Sequence, residues 1–134
     1  MKENRQWQKR EISHSGNNKN GKEDALMEIL KEKRENRQIV SLKGRLDAVS
    51  GPELEAVLQQ VFEERTKDDW KELEICCRDM DYISSAGLRV LLAARRAADG
   101  YGCKLMMTKV NKFVMNILQM TGFTQILDIR GGEI

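Results

Sequence analysis

The chain is poor in the residues that carry most recognisable chemistry. Its 134 residues include one proline, one histidine and seven aromatic residues (three Phe, two Trp, two Tyr). With His14 the sole histidine, a Ser-His-Asp or Cys-His arrangement would have to be built on that one side chain, which lies in a polar leader. The three cysteines, Cys76, Cys77 and Cys103, form no CxxC pair, and two are adjacent, which argues against a disulfide framework or a zinc site and for a reducing, cytoplasmic setting. No run approaches the roughly 20 apolar residues that span a bilayer, and no apolar leader of the secretory kind is expected at the start. Charges of both signs nearly cancel to +2, so composition demands neither nucleic acid nor an anionic membrane as partner. Neither a Gly-x-Ser-x-Gly elbow nor a Walker-type glycine loop is present, so catalysis is not expected and no cofactor is implied.

What is present divides into two parts. Residues 1–24 are polar and lean basic through Lys2, Arg5, Lys9, Arg10, Lys19 and Lys22, with Trp7 as an isolated aromatic; they read as a disordered basic tail. Residues 25–134 read as one domain, because the apolar period there alternates between strand-like and helix-like. Leu26–Glu35 fits either a strand or a short helix. Val40, Leu42 and Leu46 mark a strand ending at Gly44 or just beyond. Ser50 and Glu53 have capping-box spacing and Pro52 sits in a first turn, so Leu54, Val57, Leu58, Val61 and Phe62 form the stripe of a helix. ELEICCRDM reads as a strand, LRVLLAARRAADGYG as a helix stopped by Gly100 and Gly102, and KLMMTKV as a strand. NKFVMNILQMTGF reads as a last helix striped by Phe113, Val114, Ile117 and Leu118, followed by a short strand around Ile126 to Ile129. Met106, Met107, Met115 and Met120 are expected in the core. Arg89, Arg95 and Arg96 are expected on solvated helix faces, and Asp79 and Asp81 as exposed loop acids.

The stretch DMDYISSAGLRVLL sets Ser84 and Ser85 where a strand hands over to a helix. A serine there caps the helix, and the unpaired amides and helix dipole favour an added negative charge. A phosphate would add about 1.5 to 2 negative charges to a neutral or mildly basic surface, enough to disrupt a complementary interface.

YISSAGLRVLL, together with GRLDAVSGPELE upstream and KVNKFVMNILQMTGFTQIL downstream, resembles the STAS domain, named for sulfate transporters and anti-sigma factor antagonists. The resemblance covers about residues 26 to 130. It implies an α/β fold, a four- or five-stranded mixed sheet with helices packed mainly on one face, and a partner-binding surface around the loop before the second helix. It also implies partner switching: the unphosphorylated domain binds an anti-sigma factor that is a serine kinase, phosphorylation releases it, and a phosphatase resets it. Nucleotide binding near the loop is known in some members, and Asp47 matches an acidic residue there. The loop residues implicated are Asp47, Tyr82, Ile83, Ser84, Ser85, Ala86, Gly87 and Arg89. Aligning Gly87 and Leu88 with the family's Asp-Ser-Ser-Gly-Leu motif places Ser84 at the aspartate, Ser85 at the first serine and Ala86 at the usual acceptor. Ala86 has no hydroxyl. Either Ser85, the preferred candidate, or Ser84 accepts the phosphate, or the domain is a constitutive interaction module without the switch, such as a scaffold or transport-system subunit.

Overall fold

A computed structural model describes residues 12–14, 27–68 and 70–132. Six strands form one sheet in the order β1-β2-β3-β4-β5-β6: β1 Ile12–His14, β2 Glu28–Arg34, β3 Arg37–Leu46, β4 Glu72–Ile83, β5 Lys104–Val110 and β6 Asp128–Gly131. Helix α1 is Gly51–Asp68, α2 is Ser85–Tyr101 and α3 is Lys112–Met120. β1, β2 and β3 pair antiparallel, whereas β3 through β6 pair parallel, which makes the sheet mixed. The crossovers through α1, α2 and α3 all step the same way across the sheet, so right-handed connections place the three helices on one face. The five longer strands and three helices match the expected architecture. The short β1 falls within the stretch read as a disordered tail and adds a sixth strand at the edge. The basic residues and Trp7 of that stretch lie outside the described residues.

The ambiguous first segment is a strand because Glu28–Arg34 pairs residue for residue with β3, turning at Glu35 and Asn36, and buries Ile29. β3 continues through Leu46, beyond Gly44, where a register irregularity and a φ of 113° accommodate a bulge that only glycine adopts easily. The α1 stripe is buried as the 3.6-residue period requires, and Leu88, Leu91, Ala94 and Ala98 of α2 pack with it over β3, β4 and β5. Gly100 lies inside α2, and Gly102, left-handed at φ 74°, ends it. Arg95 is not simply solvated: its guanidinium donates to the Ile126 carbonyl at 2.5 Å and pairs with Asp99 at 3.3 Å. On the helix-free face, Arg37 forks to Glu72 and Glu74, and the Thr108 hydroxyl donates to Glu74 at 2.6 Å. These charge-assisted bonds offset the burial of Glu74.

Among the cysteines, Cys77 and Cys103 are buried and Cys76 is half-buried. Burial raises the pKa of the Cys77 thiol, reinforced by Cys76 and Glu74; burial also raises that of Cys103, with Arg65 opposing it. Thiols held neutral and covered are unreactive. Labelling with a thiol-specific disulfide reagent is therefore expected to modify Cys76 alone in the native protein and all three after denaturation. Rapid native labelling of Cys77 would contradict this packing.

Candidate functional site

The expected loop residues gather at the carboxyl ends of β3 and β4. The parallel register sets Arg45 beside Tyr82 and Leu46 beside Ile83, and the Ser84 amide continues the ladder by donating to the Leu46 carbonyl at 2.9 Å. Ser84 then turns extended, and its hydroxyl accepts from the Ala86 amide at 3.2 Å, capping α2. Ser85, the first residue of α2, is exposed, as is Arg89 one turn on; Tyr82, Ser84 and Ala86 are half-buried. Two of the implicated residues do not face solvent. Ile83 belongs to the core, and Gly87 is buried where α2 begins against the end of β3.

The β3–α1 loop forms the second wall. Asp47 accepts from the amides of Val49 at 3.0 Å and Ser50 at 3.2 Å, folding the loop upon itself. The Ser50 hydroxyl does not cap α1 as its spacing with Glu53 suggested. It accepts from the Asp47 amide at 3.0 Å and donates to the Arg45 carbonyl at 2.7 Å, closing the loop onto β3, while the Ser50 carbonyl takes the first helical amides. The Arg45 guanidinium lies 3.6 Å from Asp47 and 4.4 Å from the centre of the Tyr82 ring, so one cation ties the two loops together. Sequence reasoning missed Arg45 because its role depends on the register of β3 against β4. It also missed Val49, which is 64% exposed at the tip of the loop.

Burial acts against the ionised form of Asp47, but the amides of Ser50 and Val49, the Ser50 hydroxyl and Arg45 outweigh it and hold the pKa below the ordinary carboxylate range. The folded value is the depressed one. This contribution to stability is thus fully present above the unfolded carboxylate value near pH 4 and is lost as pH falls below it towards the folded value. Asp47→Ala is expected to cost about 1 to 2 kcal/mol at neutral pH by breaking these bonds. Urea unfolding of the two proteins should converge in acid; a constant gap between pH 7 and pH 3 would contradict the role assigned to Asp47.

The arrangement is a surface: an exposed serine at a helix N-terminus, a neighbouring arginine and two short loops braced from below. Asp79 and Asp81 are exposed, though on β4 rather than in a loop, and among the described residues no cluster of three or more His, Cys, Asp or Glu could hold a metal ion. A protein-family model described as "Mlab, STAS domain" matches residues 29–128, which takes in both loops and all three helices. The chain belongs to the STAS domain family.

The STAS domain here is 27% identical over 90 residues to the anti-sigma-B factor antagonist of Bacillus subtilis (strain 168), covering 67% of this chain and 78% of that protein. The crystal structure of an anti-sigma factor antagonist from Mycobacterium paratuberculosis superposes with a TM-score of 0.68 at 20% identity, covering 78% of this chain and 85% of that one. A sulfate transporter family protein from Wolinella succinogenes superposes with a TM-score of 0.60 at 16% identity, covering 71% and 76%. Both structural likenesses speak to the fold. Among the described residues of this STAS domain, no helix is long and apolar enough to cross a membrane.

Proposed function

We propose that this STAS domain is an anti-sigma factor antagonist of the cytoplasm. It binds an anti-sigma factor that is also a serine kinase, using the surface formed by Ser85, Arg89 and the Asp47–Ser50 loop, and phosphorylation of Ser85 releases it. The domain catalyses nothing itself; a separate phosphatase restores the binding form, and any nucleotide contact near Asp47 is weak. One observation carries the choice of serine. The Ser84 hydroxyl is engaged in capping, whereas Ser85 is exposed in a helical first turn that contains no acidic residue. The kinship with anti-sigma-B factor antagonists supports the partner class.

A second reading, a constitutive interaction module within a scaffold or transport system, is favoured by Ala86 at the usual acceptor position and by the sulfate transporter neighbour. The two part on one experiment: incubation of the full chain with candidate anti-sigma kinases of the same genome and ATP, followed by peptide mass spectrometry. One phosphate on Ser85 with loss of the complex is the expected result. A stable complex with neither serine modified would leave the constitutive module.

A further inference from the structure

β4 outruns its neighbour. Its pairing with β5 covers Glu72–Cys76 only, and the rest of β4 continues to Ile83 without β5 beside it. Helix α3 packs along this second half, and the Asn111 side-chain amide donates to the Met80 carbonyl at 3.0 Å, supplying a hydrogen bond that β5 does not. Only part of the apolar surface of α3 is needed for that packing. Val114 and Leu118 are buried and Met115 and Ile117 half-buried, yet Phe113 is 57% and Met120 74% exposed.

Val114 and Leu118 of the expected stripe lie in the core, but the expectation is corrected for Phe113 and Met120, which leave a second apolar face. At roughly 100° per residue, Phe113 and Met120 point within about 20° of each other, about 10 Å apart along the axis, with Ile117 between them on the flank nearer the core. The three make a continuous apolar ridge. At its near end the Phe113 ring meets the Tyr82 ring, 6.5 Å between centroids, and Tyr82 lies beneath Arg45, which braces the two loops. The ridge therefore ends against Tyr82, three residues before Ser85 on the strand that leads into α2.

Charge identifies the occupant. Residues 109–125 contain Lys109 and Lys112 but no Asp or Glu, and residues 84–94 contain Arg89 but again no Asp or Glu, while Arg95 further along is already paired with Asp99. The cleft beside Asn111 holds Glu28, Asp79 and Asp81 together with Lys43 and Arg78. A second copy packed ridge to ridge would bring Lys109 and Lys112 into one interface with their own counterparts. A partner with a carboxylate-bordered apolar strip is complementary both to the ridge and to its rim.

We infer that the α3 ridge of Phe113, Ile117 and Met120 is a second docking element for the anti-sigma factor, taking an apolar helix face bordered by carboxylates. The inference rests on the function proposed above. It also extends the switch: a phosphate on Ser85 adds negative charge to the face that meets a carboxylate-rich partner.

The test measures the affinity of the full chain for an anti-sigma factor of the same genome that binds the unmodified protein, with thermal melts as folding control. The Phe113→Ala/Met120→Ala double variant trims two side chains that are more than half exposed and leaves the buried Val114 and Leu118 in place, so it is expected to melt close to the parent and to bind at least about tenfold more weakly. Lys112→Glu is expected to slow association, and Glu55→Ala, on α1, to change nothing. Binding by the double variant within twofold of the parent, while Ser85→Asp abolishes it, would overturn the ridge and leave the switch. If no anti-sigma factor binds the unmodified chain, the proposed function falls and the ridge's role falls with it. Sedimentation of the parent as a dimer that the double variant cannot form would give the ridge to a second copy and overturn the inference.

Discussion

Gly87→Val is expected to lower the free energy of unfolding by about 3 kcal/mol or more, a large share of the 5 to 15 kcal/mol typical of a domain. A Cβ built at Gly87 meets Leu46 Cγ at 2.7 Å, the Leu46 carbonyl oxygen at 2.8 Å and Ile83 Cγ1 at 3.0 Å. None of these can retreat easily. Leu46 and Ile83 are buried in the core, and the Leu46 carbonyl holds the Ser84 amide that links β4 to α2. Pushing α2 away would loosen the turn that presents Ser85, so the same substitution is expected to weaken partner binding. Even Gly87→Ala, which gains about 1 kcal/mol of helix propensity, is expected to end up less stable than the parent. Gly51 is the control: its Cβ would come no nearer than 3.4 Å to Val90, so Gly51→Ala should be tolerated within about 0.5 kcal/mol. Chemical unfolding of the three variants checks this, and a Gly87→Ala protein as stable as the parent would refute the packing argument.

The legibility of the site follows the range of the interactions that build it. Residues 50–65 announce α1 because a proline in a first turn and a stripe at 3.6-residue spacing are local signals, and the structure buries that stripe. The direction of the Ser50 hydroxyl was not legible. It is set by the Arg45 carbonyl at the end of β3, which spacing to Glu53 does not report. Ser84 as a helix cap was legible for the same local reason as α1, whereas the Arg45–Tyr82–Phe113 contacts depend on two register irregularities in β3 against β4 and on β4 outrunning β5. Phe113 and Met120 show the limit most clearly. Apolar periodicity states that a helix has an apolar arc, but the width that becomes buried depends on what is packed against it. Gly87, which stood in the sequence as an alignment landmark and a binding-loop residue, proves instead to be a point of close approach between α2 and the sheet.

Ser85→Asp is expected to weaken binding to the anti-sigma factor at least about a hundredfold, about 2.7 kcal/mol, while leaving the domain as stable as the parent or slightly more so. The two effects separate because they draw on different neighbours. Towards the domain, a carboxylate at the first position of α2 faces the helix N-terminus, whose amides and dipole favour negative charge, and no acid in that turn opposes it. Towards the partner, the same charge enters a helix start, residues 84–94, whose one charged side chain is Arg89. A partner carboxylate placed to meet Arg89 encounters a like charge beside it instead. Phosphate, with about 1.5 to 2 charges, should act more strongly than aspartate. The companion variants distinguish charge from structure. Ser85→Ala removes the acceptor but no cap, so it should bind like the parent and stay bound in the presence of kinase and ATP. Ser84→Ala removes the hydroxyl that takes the Ala86 amide, so it should cost about 1 kcal/mol of stability and still be released on phosphorylation. Affinities measured by calorimetry alongside thermal melts give both axes at once. Undiminished binding by Ser85→Asp would mean that charge at this helix start is invisible to the partner, and the chain would then be the constitutive module that Ala86 permits.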